Sequence, residues 1–380
     1  VNETKPPKRA PILLAGGGHA HLGVLADWIA KGPPSEGCVM VSRHPKTLYS
    51  GLVPGWISGD FTIGDATIAL TPLAEKAGAE FVQGDIVGVD AEAKTVALAD
   101  GSKIGFDLLA LGTGGTGRAK DVFGPSDTPI FDIRPMESFV ERYAKWRDEN
   151  SEREDLTIAV IGGGAGGTEL AFALRSGHGL AEQPRIHFVT GKAGVLPGFP
   201  TGVRQHVEQA LTARGIEVIA ADAEVSDGEL VIGGEAAVQP DLIVTALGSG
   251  APDWPRKAGL QTDAQGFVEV DAQHRSLSHP AIFAAGDISQ RTDRDLPHSG
   301  VHAVFAGPVL ADNLRATTQG TGSMRPYDAR RRNLYLLSTG DKSAILTYGR
   351  FHAEGVWVWR LKRWIDMRWV NRFRKLAERV

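Results

Sequence analysis

Residues 158–167 read IAVIGGGAGG: a short apolar run breaks into glycines, and a helical pattern follows over Thr168–Arg175. Glycines at such a break let backbone N–H groups and the start of a helix close on a pyrophosphate. Gly162, Gly164 and Gly167 satisfy the spacing GxGxxG in the strand–turn–helix setting that gives the motif its meaning. One such loop alone could also serve as a tight turn in a fold that binds no nucleotide. Residues 12–21, ILLAGGGHAH, repeat it, with Gly16 and Gly18 in place and His21 where the third glycine belongs. A side chain of that size predicts looser helix–strand packing or a displaced helix start. The helical pattern there is read over His21–Ala30.

The likeness extends outward from both loops. Each unit carries a second apolar strand, Val39–Ser42 and Ile186–Thr190, then alternating stretches at 80–104 and 216–238 that suggest small antiparallel meanders. Each closes on a buried strand ending in glycines, FDLLALGTGG (106–115) and DLIVTALGSG (241–250). Aligned on Gly112 and Gly248, the closing glycines stand 96 and 86 residues beyond the first glycine of each loop. An internal duplication predicts two copies of one architecture, and strand–helix–strand units with parallel pairing make each a βαβ fold. The expected class is α/β, with two Rossmann-like dinucleotide-binding domains of three layers each. Between the copies, Pro135–Asp148 reads as an amphipathic helix and Asp148–Asp155, DENSERED, as a charged linker.

The 380 residues suffice for two domains. With 42% apolar and 23% charged residues the chain is neither disordered nor a coiled coil, and a net charge of −4 gives no reason to expect nucleic acid. The single cysteine, Cys38, excludes an internal disulfide, a CxxC redox pair and a cysteine-built metal site; its strand setting makes it a small buried hydrophobe. The eleven histidines show no metal-ligating spacing. No apolar run approaches the ~20 residues that span a bilayer, and Val1–Pro11 reads as a loose lead-in without a signal peptide's apolar stretch. These features fit a cytoplasmic protein.

The tail differs from the rest. Phe351–Val380 carries a net +5 against −9 elsewhere, and four of the eight tryptophans. WVWRLKRWIDMRWVNRFRKL (357–376) has no Pro or Gly, and on a helix Val358, Leu361, Trp364, Ile365, Trp369, Phe373 and Leu376 share an apolar arc. Trp beside Lys and Arg suits a lipid headgroup layer, so peripheral binding to the inner face of the membrane is expected. A homodimer interface or packing onto the domains would use the same stripe.

GGGHAH (16–21), the two closing strands, GVLPGFP (194–200) and IFAAGDI (282–288) resemble the two-domain flavoproteins of the pyridine nucleotide–disulfide oxidoreductase superfamily. The closest branch resembles type II NADH dehydrogenases and sulfide:quinone oxidoreductases. SRHPKTLYSGLVPGWISG (42–59), LPHSGVHAVFAGPVLADNL (296–314) and the basic aromatic tail look closer still to the flavoprotein module fused to selenophosphate synthetase. The resemblance covers nearly the whole chain.

It implies a flavin domain over 1–118 and 271–330, a nicotinamide domain over 119–270, and C-terminal strands with a basic aromatic helix over 331–380. It implies non-covalent FAD, with Gly16, Gly18 and the backbone of His19, Ala20 and His21 at the pyrophosphate. Gly286 and Asp287 would reach the ribityl chain, and Gly300 and Val301 the pyrimidine end. Ser42, Arg43, Val87, Thr113 and Gly114 would be further FAD contacts. NADH or NADPH would lie on Gly162, Gly164, Gly167, Thr190, Lys192 and Gly248, with Glu169 near the nicotinamide. Tyr49–Gly55 would pass one face of the isoalloxazine. The candidates beside the flavin are thus Tyr49, Pro54, Glu169 and His298; His298 and His302 flank Gly300 at the flavin edge or a quinone pocket.

Departures from the pattern narrow the activity. YSGLVPG (49–55) has none of the redox cysteines of disulfide reductases and sulfide:quinone oxidoreductases, so those activities are not expected. Electrons would pass directly from flavin to a quinone-like or other small acceptor. Neither second strand ends in the acid that binds an adenosine ribose: one ends Ser42-Arg43, the other Thr190-Gly191-Lys192. Weak discrimination between NADH and NADPH follows, with Lys192 attracting a 2′-phosphate. A flavoprotein of selenium or sulfur metabolism, and a nucleotide-sensing flavoprotein with little turnover, are the alternative functions.

Overall fold

The structure is a computed structural model that describes residues 8–236, 239–330 and 332–378. The start of the lead-in (1–7), two positions at the end of the 216–238 stretch, Arg331 and the last two residues of the tail lie outside the described residues. The rest of the lead-in is not loose. Strand β1 (Lys8–Ala15) begins at Lys8, where Lys8 pairs with Glu80 and Arg9 with Asp107 at 2.6 Å.

β1 leads through α1 (His19–Lys31) to β2 (Cys38–Ser42), a short α2 (Val53–Ile57), β3 (Ala79–Gln83), β4 (Ile86–Asp90), β5 (Thr95–Leu98) and β6 (Lys103–Leu111). The sheet order is β3–β2–β1–β6–β5–β4, parallel as far as β6 and antiparallel beyond it. β2 is buried at every position, Cys38 included. A strand covered on both faces reads as an unbroken apolar run, and CVMVS does.

The second sheet is built from β7 (Ile130–Asp132), then α3 (Met136–Glu149), β8 (Thr157–Ile161), α4 (Ala165–Arg175), β9 (Arg185–Val189), α5 (Thr201–Ala213), β10 (Ile216–Ile219) and β11 (Leu242–Thr245). Its order is β10–β9–β8–β11–β7, parallel throughout. The stretch read as a meander from 216 opens with a parallel strand, and the antiparallel pairing starts only at Ala223. β12 (Ile282–Ala284) then returns to the first sheet, parallel to β6. α6 (Gly300–Thr318) packs on α1 through facing glycines: a Cβ on Gly307 would lie 2.6 Å from the Ala20 carbonyl oxygen. An antiparallel sheet of β13 (Leu334–Ser338), β14 (Ala344–Tyr348) and β15 (Phe351–Gly355) precedes α7 (Val356–Glu378). Among the described residues, no helix is long and apolar enough to cross a membrane.

Strand register corrects the alignment of the repeats. Ala15 pairs with Leu111 and Ile161 with Thr245, so Gly114, and not Gly112, is the counterpart of Gly248. Both adopt positive φ, 75° and 84°, a region that favours glycine.

Candidate active site

The two glycine loops begin alike. Gly18 and Gly164 precede α1 and α4 in extended conformation, with ψ of 163° and 177°. A Cβ on Gly16 would lie 2.5 Å from the Gly112 oxygen, and one on Gly162 2.3 Å from the Ala246 oxygen. The third position then diverges. A Cβ on Gly167 would come within 1.9 Å of the Gly162 oxygen. His21 stands at the matching place, buried, with Nδ1 2.7 Å from the Gly16 oxygen. Its ring fills the space over Gly112, where a Cβ would be 2.7 Å from Cε1. The expected helix displacement does not occur: α1 starts at His19, as α4 starts at Ala165. Room for the imidazole comes instead from Gly112, whose counterpart Ala246 carries a methyl group. Burial lowers the His21 pKa to about 4, with the Gly16 hydrogen bond opposing, so the ring is neutral.

β12 delivers Gly286, at φ 80°, and Asp287. Asp287 is ion-paired at 2.8 Å to Arg134, which follows β7. His19 feels both: burial lowers its pKa to about 4, Asp287 opposes the shift and Arg134 adds to it. Along this line His19 Nε2, Thr113 Oγ1, Arg134 Nε and Ser299 Oγ are buried without partners. Each such atom costs about 1–3 kcal/mol, and a polar dinucleotide would supply what they lack. Thr113 adjoins the loop, since a Cβ on Gly16 would lie 2.6 Å from its Cα, and Ser299 precedes α6, whose first residues are Gly300 and Val301. These residues fit FAD. In the second half Ser249 Oγ is likewise buried and unpartnered, while Gly164 and Gly248 face open space. Arg134 was missed in the sequence because no motif ties it to Asp287.

Tyr49, Glu169 and the tail helix meet beside this line. The Tyr49 ring packs on Trp369 at 4.4 Å between centroids and lies edge-on to His19 at 5.6 Å. Its hydroxyl donates to Asp366 Oδ1 at 3.0 Å. Lys362 pairs with Asp366 at 3.1 Å and Glu169 at 3.5 Å, and donates to the Gly51 oxygen at 3.1 Å. Ser338 N–H donates to Glu169 Oε1 at 2.8 Å. Burial raises the Glu169 pKa and Asp366 adds to the rise, against the pull of Lys362. Burial alone would lower the Lys362 pKa, but the two carboxylates overcome it and raise it. One ammonium thus serves two carboxylates. Pro54 is buried in α2, and Gly55 packs under Phe61, where a Cβ would fall 2.4 Å from the ring.

The tail helix forms, but its inward face differs from the expected arc. Lys362 and Asp366 are 9% and 5% exposed, whereas Trp357 and Trp364 are 53% and 58% exposed. Val358, Val370 and Phe373 are buried, and Leu361, Ile365, Trp369 and Leu376 only partly. A Lys and an Asp four residues apart in an apolar stripe were the available signal for this pair.

His298 is turned away from the cluster: its ring lies 4.0 Å from that of Phe267 and Nε2 is 3.2 Å from the Ser289 oxygen. His302 is the more buried of the two. It meets the Tyr327 hydroxyl at 3.0 Å and Asn333 at 3.4 Å, and lines a cleft of about 680 Å³. At the far ends of the loops, Ser42 and Thr190 are buried, while Val87 on β4 is half-exposed. Arg43 and Lys192 each pair with an acid, Asp85 at 2.7 Å and Asp222 at 2.8 Å.

Comparisons with known proteins agree with this geometry. Residues 22–307 match the family model for pyridine nucleotide-disulphide oxidoreductases. Demethylphylloquinone reductase NdbB of Synechocystis sp. is 26% identical over 301 residues, 75% of this chain and 73% of its own length. The NADH dehydrogenase-like protein YutJ of Bacillus subtilis is 25% identical over 295 residues, 76% and 78% of the two chains. The sulfide:quinone oxidoreductase of Aquifex aeolicus shares the fold, with a TM-score of 0.76 over 97% of this chain and 92% of its own, at 18% identity. Two glycine loops on the parallel strands of two sheets, unpaired polar atoms where a dinucleotide would lie, and a family match across most of the sequence agree: this chain belongs to the pyridine nucleotide-disulphide oxidoreductase family.

Proposed function

We propose that this chain is an FAD-dependent oxidoreductase that takes hydride from NAD(P)H and passes electrons directly to a quinone or similar small acceptor. The observation that carries the reading is the convergence of both halves and α7 on one buried charged cluster, Tyr49–Asp366–Lys362–Glu169. FAD would be held by the 16–20 loop, Arg134, Asp287, Ser299 and Gly300, and NAD(P)H by the 162–167 loop. Bound FAD supplies two-electron chemistry, accepting hydride and releasing electrons to an acceptor. The chain does the rest. The N-terminus of α6 offers partial positive charge where negative charge would gather. Lys362 keeps a fixed charge beside the site, and burial shifts Glu169 towards its protonated form, the direction a proton-consuming reduction would use. Tyr49 and Trp369 exclude water from it. Cys38, buried in β2, is remote from this chemistry, which supports transfer without a thiol relay.

The quinone relative NdbB supports the acceptor class, and the outer face of α7 supports its source. Trp357, Trp364 and Val356 are exposed there, as is Phe351 on the adjoining β15, and the Arg368 guanidinium lies over the Trp364 ring at 5.3 Å. Amphipathic rings among cations suit peripheral binding to an anionic membrane surface. The test is NADH-driven turnover with a water-soluble quinone, then with a quinone dissolved in anionic vesicles. The reading expects turnover above about 1 s⁻¹, with a vesicle-dependent gain that salt removes. A flavin reduced by NADH that no quinone reoxidises would overturn the acceptor, and indifference to vesicles would overturn the membrane surface.

A further inference from the structure

Both halves lack an acid at the end of the second strand, yet both have one beside that strand end. β2 ends at Ser42, and the Arg43 guanidinium that follows lies 2.7 Å from Asp85. β9 ends at Val189, and the Lys192 ammonium lies 2.8 Å from Asp222. Each acid comes from the loop after the third parallel strand, β3 in one half and β10 in the other. The registers agree, because Val41 pairs with Val82 and its counterpart Val189 with Ile219, and each acid stands three residues beyond that partner. Backbone bonds fix both corners: Gly84 N–H to the Ser42 oxygen at 3.0 Å, and Thr190 N–H to the Ile219 oxygen at 2.9 Å. Ion pairs this exposed add little to stability, so stability does not explain why the arrangement recurs.

We propose that Asp85 and Asp222 are the ribose-reading acids of the two dinucleotide sites, shifted one strand outward, and that Asp222 makes the second site select NADH over NADPH. The assignment rests on the function proposed above. A second-strand acid accepts a hydrogen bond from the 2′-hydroxyl and repels a 2′-phosphate. Asp222 brings that charge to the same end of the sheet. A Cβ on Gly191 would lie 3.6 Å from Asp222 Oδ1, and one on Gly163, in the middle of the phosphate loop, 2.7 Å from the Thr190 oxygen. Loop, strand end and acid therefore stand in a row. Lys192 alone would attract a phosphate, but its ammonium faces Asp222 and its backbone N–H donates to the same carboxylate at 3.4 Å. The first half is an internal control. FAD carries no 2′-phosphate, and an Arg–Asp pair stands there nonetheless, so the basic residue needs no phosphate to account for it. The weak discrimination expected from Lys192 becomes a preference for NADH.

The experiment is calorimetric titration of the FAD-loaded protein with NAD⁺ and with NADP⁺, which bind without reducing the flavin. Wild type, Asp222→Asn and Lys192→Ala are compared. The expected result is NAD⁺ bound at least tenfold more tightly by wild type. Asp222→Asn should move the ratio of the two constants tenfold or more towards NADP⁺, and Lys192→Ala should move it the other way. Added salt should shrink both shifts, because the pair is exposed. A merely structural pair would weaken both nucleotides alike and leave the ratio unmoved. A wild type without preference, a ratio within twofold of wild type in Asp222→Asn, or no binding of either nucleotide overturns the proposal. The predicted ratios in a protein whose flavin NADH fails to reduce would leave this assignment standing and defeat the proposed function instead.

Discussion

The first and second halves solve one steric problem from opposite sides. In the second, a glycine on the helix, Gly167, faces Ala246 on the closing strand; in the first, a histidine on the helix, His21, faces a glycine on the strand, Gly112. The helix starts at the same step in both. What the duplication preserves is therefore the helix start, because in each half the larger residue at the contact faces a glycine, as close packing demands. A motif written for the helix side alone marks the first loop as defective. It is not.

The comparison breaks most severely where the halves are tied together. Lys362 is the cation between Glu169, in the second half, and Asp366, which also holds Tyr49 of the first. Lys362→Met leaves two buried carboxylates sharing no ammonium, and unfolding in denaturant should show a loss of about 3–5 kcal/mol. A loss below about 1 kcal/mol would mean that the cluster is hydrated.

A smaller effect sharpens the glycine comparison directly. Gly167→Ala meets a backbone oxygen that cannot retreat, and should cost about 3 kcal/mol, whereas Gly112→Ala meets the edge of an imidazole and should cost about 1 kcal/mol. Adding His21→Ala should relieve Gly112→Ala and do nothing for Gly167→Ala. Thermal melts of the single and double variants give the coupling. Additivity at Gly112 and His21 would contradict the exchange of volumes.

The smallest effect concerns pH. His21 has no titrating counterpart at Gly167, and its pKa of about 4 in the folded chain lies below the ordinary value of 6.5. Between those values the unfolded chain binds a proton that the folded one does not. Stability is therefore fully present above pH 6.5 and declines as pH falls towards 4, by about 1 kcal/mol at pH 5.5 for this ring. His21→Asn should flatten that part of the profile, read from denaturant midpoints; an unchanged slope would show that the ring is solvated.

Much of the fold was legible because its signals are local. An apolar strand running into glycines and a helix is contained in about ten residues, and its repetition established two sheets with parallel strands at their centres. The unread parts are pairings between distant segments. Arg43 with Asp85, Lys192 with Asp222, Arg134 with Asp287 and Lys362 with Glu169 each join loops or helices that only tertiary packing brings together. The tail shows the same limit from another side. Its helix was plain from the absence of Pro and Gly, but the choice of inward face was set by two charged residues with buried partners, which a count of apolar positions places outside. His298 and His302 were equally placed in the sequence about Gly300, and only their distant partners, Phe267 and Ser289 for one and Tyr327 and Asn333 for the other, separate them.

The most direct test of a flavin half that receives hydride from a nicotinamide half is an anaerobic mixing experiment on FAD-loaded protein carrying Cys38→Ser. Addition of NADH should bleach the visible flavin absorbance at the wild-type rate, since no thiol takes part. A folded chain that takes up no FAD, or a loaded one whose flavin stays oxidised under excess NADH and NADPH, would contradict the account.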